Sequence, residues 1–242
     1  IWLPIKPSDP VINTFLDIIY FKINFICITS NFLKSYYKNK MIYTLEPHLG
    51  AIEKKLANET LNKNIISTFG NNVEKFEKSF SKFTNFNYTT AVNSGTSSLH
   101  LGLKANNVCE NDLVIIPSYT FAATANAIIY CGAKPWFHDI NSENMMLDLD
   151  QVASSLEKKT YKKGNFYYHY KTKQKIACIV PVMTFGYSLN ISKLIAIKKK
   201  YKINILIDSA AGHFASYDKK KLGFYNFDCC YSFNGNKNIS TS

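Results

Sequence analysis

Three short polar segments of this chain could each do chemistry that the apolar sequence around them could not. Ser94-Gly95-Thr96 lies between a β-like run and a helical pattern. Free backbone N–H groups, a helix dipole and a hydroxyl at such a junction suit a phosphate, and Gly95 permits close backbone approach. The same residues also make an ordinary helix start. Asp208 ends the apolar run Ile203-Asn204-Ile205-Leu206-Ile207. A carboxylate there needs a partner to stay charged. A protonated ring nitrogen would serve, and the carboxylate would keep that ring cationic and electron-withdrawing. A helix N-cap for Ser209-Ala210-Ala211 is the other reading of the same aspartate. Lys237 follows Tyr231-Ser232-Phe233-Asn234-Gly235-Asn236, small polar residues with a glycine that frees the backbone. A lysine held there could form a Schiff base with a carbonyl. It could also be one more surface lysine among the 29 basic residues.

The elements that would position these groups follow from hydrophobic periodicity. Val73, Phe76, Phe80 and Phe83 recur at helical spacing and predict a helix over Asn72 to Phe83, with Asn71 or Asn72 as its cap. Tyr88 to Val92 reads as a short strand, followed by a helix to about Ala105. Leu113 to Pro117, Pro135 to His138, Ile176 to Val182, Ile203 to Ile207 and Cys229 to Phe233 are strand candidates. Helices are predicted over Ala122 to Tyr130 and Leu189 to Tyr201. Short apolar strands alternating with helices imply a three-layer α/β/α fold with a mainly parallel sheet covered on both faces. In such sheets the chemistry sits beyond the strand ends, where Asp208, Lys237 and the Ser94 segment all fall. Tyr161 to Lys175, rich in Lys and Tyr, reads as a solvated surface insertion.

Composition narrows the function classes. The chain has 242 residues, and 46% of them are hydrophobic, enough for a sizeable core. Its formal charge is +12, yet every basic residue is lysine. A surface built for nucleic acid draws on arginine for bidentate contacts, so the charge points away from a nucleic-acid partner. Cys27, Cys109, Cys131, Cys178, Cys229 and Cys230 include no C-x-x-C pair, and the histidines show no ligand spacing. These predict free thiols in a reducing, cytoplasmic compartment and no metal. Val11 to Thr29 is apolar but interrupted by Asp17, Lys22 and several Asn, too polar for a membrane span. Residues 1–40 are expected to be extraneous to the functional domain, with an anchor or membrane-surface helix as the alternative. Met41 opens a segment that reads as an ordinary start.

Taken in order, the segments from Met41 to Ser242 resemble the DegT/DnrJ/EryC1/StrS sugar aminotransferase family of fold type I pyridoxal-phosphate enzymes. The resemblance rests on Thr68-Phe69-Gly70 with Val73-Glu74-Lys75-Phe76-Glu77, Ala91-Val92-Asn93-Ser94-Gly95-Thr96 and Ile116-Pro117-Ser118-Tyr119-Thr120-Phe121-Ala122-Ala123-Thr124. It continues through Gly132-Ala133-Lys134-Pro135 with Asp139, Ile179-Val180-Pro181-Val182, Asp208-Ser209-Ala210 and Tyr231 to Lys237. Ordered motifs across most of a chain are far more specific than any one of them.

The resemblance implies pyridoxal 5'-phosphate as cofactor, with Lys237 as its Schiff-base lysine and proton shuttle. Asp208 would pair with the pyridine nitrogen and Phe121 would stack on the ring. Gly95, Thr96 and Ser232 would hold the phosphate, with Asn234 near the same pocket. Lysine at position 237, where some members carry histidine and act as dehydratases, implies transamination. The expected reaction moves an amino group from glutamate to a nucleotide-linked keto-deoxysugar, a UDP- or dTDP-4-keto-6-deoxyhexose, for surface-polysaccharide supply. The family implies a homodimer with shared sites. Ala211 stands where the family commonly has a polar residue, and His213 is the nearby candidate. The chain ends just after Lys237, where the family continues into a smaller C-terminal domain. A truncated large domain is therefore expected, and a catalytically inactive remnant or regulatory module is the alternative function.

Overall fold

The computed structural model describes residues 49–64 and 71–241. The expectations for residues 1–40, Met41, Cys27 and Thr68-Phe69-Gly70 lie outside the described residues. Five strands form the central sheet: β1 (Leu113–Pro117), β2 (Lys134–His138), β5 (Ile176–Ile179), β6 (Asn204–Asp208) and β9 (Asp228–Cys230). Their order is β2-β1-β5-β6-β9, and each neighbouring pair is parallel. Every residue of β1 and β5 is buried, which explains why these strands read as continuous apolar runs rather than alternating ones.

Two hydrophobic cores, one on each face, follow from the strand alternation. Leu113, Ile115, Ile205 and Ile207 point to one face, against α5 (Leu149–Lys159) and α6 (Ile191–Tyr201). Val114, Ile116 and Leu206 point to the other, against α3 (Gly95–Ala105) and α4 (Ala122–Tyr130). The remaining helices are α1 (Ala51–Asn62) and α2 (Asn71–Thr84). Helix α3 lies very close to the sheet: a Cβ at Gly102 would meet Leu206 at 2.9 Å and the Cys230 sulfur at 3.1 Å. The aromatic face of α2 covers the segment after β9, with the Phe80 ring 5.0 Å from Tyr231 and 5.1 Å from Phe233. Burial pushes the Cys178 and Cys230 thiols up to about 12, so both behave as small apolar side chains. Among the described residues no helix is long and apolar enough to cross a membrane.

Several sequence expectations need correction. Tyr88 to Val92 forms no strand. The Ala91 amide bonds the Glu77 carboxylate of α2 at 2.8 Å instead of a neighbouring strand. The strand expected over Ile176 to Val182 stops at Ile179, because Pro181 has no N–H to continue the ladder, and a single bridge joins Val182 to Asp208. The last strand spans Asp228–Cys230 rather than Cys229 to Phe233. The surface insertion expected over Tyr161 to Lys175 is exposed or half-buried throughout, and it has regular structure. It contains most of an antiparallel hairpin, β3 (Thr160–Lys163) and β4 (Phe166–His169). A second small ribbon pairs β7 (Ser216–Tyr217) with β8 (Lys220–Lys221).

Candidate active site

Parallel strands deliver their C-terminal ends to one side of the sheet, and the chemically capable residues gather there. Asp208 is the last residue of β6 and is only 4% exposed. Its Oδ2 accepts from Thr124 Oγ1 at 2.8 Å and its Oδ1 from the Ala210 amide at 3.1 Å. Burial pushes its carboxyl above the usual carboxylate range, against the opposing pull of Thr124, Ala210 and the Lys237 ammonium. The Thr124 hydroxyl has one proton and gives it to Asp208, so Thr120, 2.8 Å away, must donate to Thr124 in turn. Both threonines flank the start of α4, one turn apart. Neither was singled out from sequence as a site residue. The available signal was a hydroxyl pair spaced i, i+4 directly after an apolar strand.

Lys237 approaches from the loop after β9. Its backbone amide donates to the Asn234 carbonyl at 2.8 Å, and the Asn234 side chain accepts from the Gly235 amide at 2.9 Å. Asn234 therefore shapes the turn that carries the lysine. The half-buried Lys237 side chain is close enough for its charge to act on both Asp208 and His213. Lysine and buried carboxylate, 29 residues apart in sequence, share one field.

At the start of α3, Ser94 caps the helix by accepting from the Ser97 amide at 3.1 Å. The Ser98 amide reaches the Ser94 carbonyl at 3.0 Å, so the amides of Gly95 and Thr96 are the helix donors left for another acceptor. Ser232 is pressed against this point. A Cβ added at Gly95 would lie 2.9 Å from the Ser232 Cβ and 3.1 Å from its hydroxyl. Two amides, a helix dipole and a serine thus surround a cradle that a side chain at Gly95 would fill. Phe121, the N-cap residue of α4, extends into solvent at 81% exposure.

His213 has a different setting. It is 1% exposed and lies 5.0 Å from the Phe233 ring, 5.7 Å from Tyr231 and 6.5 Å from Phe80. Neither ring nitrogen makes a well-formed hydrogen bond. Burial holds its pKa below the ordinary histidine value, and Lys237 adds to that effect against the Ser232 backbone. The ring is a neutral member of an aromatic cluster behind the lysine turn.

Residues 47–242 match the model of the DegT/DnrJ/EryC1/StrS aminotransferase family. The chain belongs to this family. Among curated relatives, GDP-perosamine synthase of Escherichia coli O157:H7 is 31% identical over 202 residues, which cover 84% of this chain and 51% of that protein. Spore coat polysaccharide biosynthesis protein SpsC of Bacillus subtilis is 30% identical over 195 residues, covering 81% of this chain and 46% of the relative. Of solved structures, 3-amino-5-hydroxybenzoic acid synthase superposes with a TM-score of 0.70 at 23% identity, over 82% of this chain and 48% of that one. The structure of ntda from Bacillus subtilis with bound cofactor PMP gives 0.65 at 26% identity, over 86% of this chain and 45% of the other. The chain spans about half the length of the curated relatives it matches. These superpositions agree with the parallel sheet and flanking helices of the fold type I enzymes.

Pyridoxal phosphate fits the residues present. A cation beside the buried Asp208 carboxyl would ionise it, the Gly95 and Thr96 amides are open to an anion, and Lys237 stands within electrostatic range of the carboxyl. The three features match a ring nitrogen, a phosphate and an aldehyde on one small molecule.

Proposed function

We propose that this protein is a pyridoxal-phosphate-dependent aminotransferase that moves an amino group from glutamate to a keto group on a nucleotide-linked deoxysugar. The observation that carries this reading is the shared field of Lys237 and the buried Asp208, in a chain of this family. Residues 41–242 are the cofactor-binding domain in this reading. Gly95, Thr96 and Ser232 hold the phosphate, Asp208 holds the ring nitrogen in its protonated form, and Phe121 covers one ring face. Bound there, the cofactor supplies an aldehyde that condenses with a primary amine and a cationic ring that takes up the electron pair released at the substrate carbon. Lys237 anchors it and then moves the proton between that carbon and the cofactor, acting as base and acid in turn. Thr124 keeps the Asp208 carboxylate aimed by occupying its second oxygen.

The relatives named GDP-perosamine synthase support a nucleotide-linked sugar as amino acceptor and move the expected nucleotide from uridine or thymidine towards guanosine. Two copies would share their sites in this reading, as the family resemblance implies.

The test is a visible absorbance spectrum of the purified protein with pyridoxal phosphate, with and without borohydride, beside Lys237→Ala. The expected result is a lysine-dependent band that borohydride fixes covalently and, in unreduced enzyme, consumption of about one glutamate per site alone, with continued turnover only when a keto-sugar nucleotide is added. GDP-, UDP- and dTDP-linked acceptors are compared directly. Identical spectra for wild type and Lys237→Ala would favour the inactive-remnant reading.

A further inference from the structure

The sheet's outer edge carries a cavity that the proposed chemistry does not use. Strand β2 pairs only with β1, so it is separated from the Asp208 strand by β1 and β5. Between β2 and the last turns of α5 lies a cavity of about 360 Å3, at the lower end of the roughly 300–1,000 Å3 range of small-molecule sites. Trp136 and His138 line it from the strand, and Gln151, Ser155, Lys158 and Lys159 from the helix. Among the described residues no carboxylate lines it.

The nearby carboxylates are engaged elsewhere. Asp139 accepts from the Ile140 amide and Asp150 pairs with Lys193 at 2.6 Å, while Glu157 lies outside the cavity lining. Among the described residues neither Lys158 nor Lys159 has an acidic partner within ion-pair distance. The Gln151 carbonyl oxygen accepts from the Asp139 amide at 2.8 Å, which leaves its NH2 group as a donor. Behind the wall, His138 Nδ1 faces the Trp136 carbonyl at 3.2 Å, and its Nε2 is buried without a partner. The positive field of Lys159 reaches both His138 and His169.

This field extends beyond the cavity. Residues 157–175 hold seven lysines and one acid, Glu157, a net +6 of the chain's +12, of which Lys175 is paired with Asp112 at 3.0 Å. The β3–β4 hairpin they form adjoins the cavity, with the His169 ring 4.9 Å from Trp136. Two unpaired ammonium groups, an amide donor and a serine hydroxyl around one cavity, beneath a basic hairpin, match an anion with several acceptor oxygens.

We propose that this cavity is a second binding site, for a phosphate-bearing ligand held by Lys158 and Lys159, independent of the cofactor site. The phosphate could belong to a soluble sugar phosphate or to a lipid headgroup.

Trp136 reports directly on the cavity, and the chain's only other tryptophan is Trp2. In the full chain carrying Trp2→Phe, Trp136 fluorescence is titrated with inorganic phosphate, with glucose 1-phosphate and with vesicles of pure phosphatidylglycerol, at constant ionic strength. A saturable change is expected, weakened about tenfold or more when Lys158→Gln and Lys159→Gln are combined. The far-UV circular dichroism of the double variant should be unchanged, and each single variant gives a second reading. Phosphate at the Gly95 cradle does not confound the result, because the signal must depend on Lys158 and Lys159. A response confined to vesicles assigns the same chemistry to a headgroup, and one to the soluble phosphates assigns it to a small molecule. Absence of saturation, or a change that survives the double variant, overturns the proposal. So does binding that responds only to Lys162→Gln and Lys163→Gln in the hairpin.

Discussion

Thr124 donates its hydroxyl proton to Asp208 at 2.8 Å, tying the first turn of α4 to the last residue of β6 across 84 positions of sequence. Asp208 has few ways to stay ionised at 4% exposure, so this bond and the Lys237 ammonium matter more than they would at a surface. Thr124→Val keeps the shape and leaves the carboxylate oxygen without its donor. The expected cost is about 1–3 kcal/mol of stability in the cofactor-free protein. Pyridoxal phosphate affinity should also fall, because the carboxyl becomes harder to ionise. Thermal melts and cofactor titration of Thr124→Val beside Thr124→Ser check both effects, and the serine variant should recover most of the loss.

Gly95→Ala tests the cradle. The added methyl would press on Ser232 at 2.9 Å and occupy the space assigned to the phosphate. Cofactor binding should weaken by about tenfold or more, which corresponds to at least about 1.4 kcal/mol. The contact with Ser232 should also cost some stability, partly offset by alanine's better helix propensity. Equilibrium dialysis against pyridoxal phosphate, with circular dichroism as the control, separates the two effects.

Phe121→Ala should leave the fold intact, because the side chain is 81% exposed and supports no core. If it stacks on the cofactor ring, its loss costs about 0.5–1.5 kcal/mol of binding beyond the lost contact area. Phe121→Trp should retain the affinity. Equal affinities for wild type and Phe121→Ala would remove Phe121 from the site.

The buried histidines predict the pH response of stability. His213 and His138 both have folded pKa values lowered by burial from 6.5. The unfolded chain therefore binds protons more readily, and the stability present above about pH 6.5 is lost as pH falls through that value towards the folded pKa. Melting temperature should drop between neutral pH and pH 5, and His213→Phe should flatten part of that slope. Asp208 acts in the opposite sense: with its folded pKa raised from 3.8, stability falls as pH rises above 3.8 towards the folded value. Asp208→Asn should remove that component when the cofactor is absent.

Local signals carried much of the fold. Leu113–Pro117 and Ala122–Tyr130 have the boundaries their sequence predicts, because a fully buried strand and a short apolar helix announce themselves without reference to neighbours. Tyr88 to Val92 looked no different locally, but strand formation needs a partner, and the Glu77 carboxylate claimed the Ala91 amide instead. Helix α5 was legible yet unread: Asp148 caps it, and Leu149, Val152 and Leu156 lie buried along one face. At the candidate site, motif order suggested Gly95, Asp208, Ser232 and Lys237, and the fold brings Gly95 against Ser232 and puts the Lys237 charge within reach of Asp208. Thr124's service to Asp208 could not be read this way, since nothing within either segment encodes a contact over that separation. His213, a polar residue at a plausible spacing, lies buried among the rings of Phe80, Tyr231 and Phe233, a setting that local sequence does not announce.

Strand β6 also links folding accuracy to chemistry. Ile207 faces one hydrophobic core, Leu206 faces the other, and Asp208 follows at the strand end opposite Cys230. A slip of one residue against β9 would turn every β6 side chain to the wrong face. Leu206 would lose its close seat against Gly102, and the carboxylate would leave Thr124 and Lys237. Misplacing the acid is therefore inseparable from scrambling both cores, so greasy packing acts as the quality inspector for the acid at the strand's end.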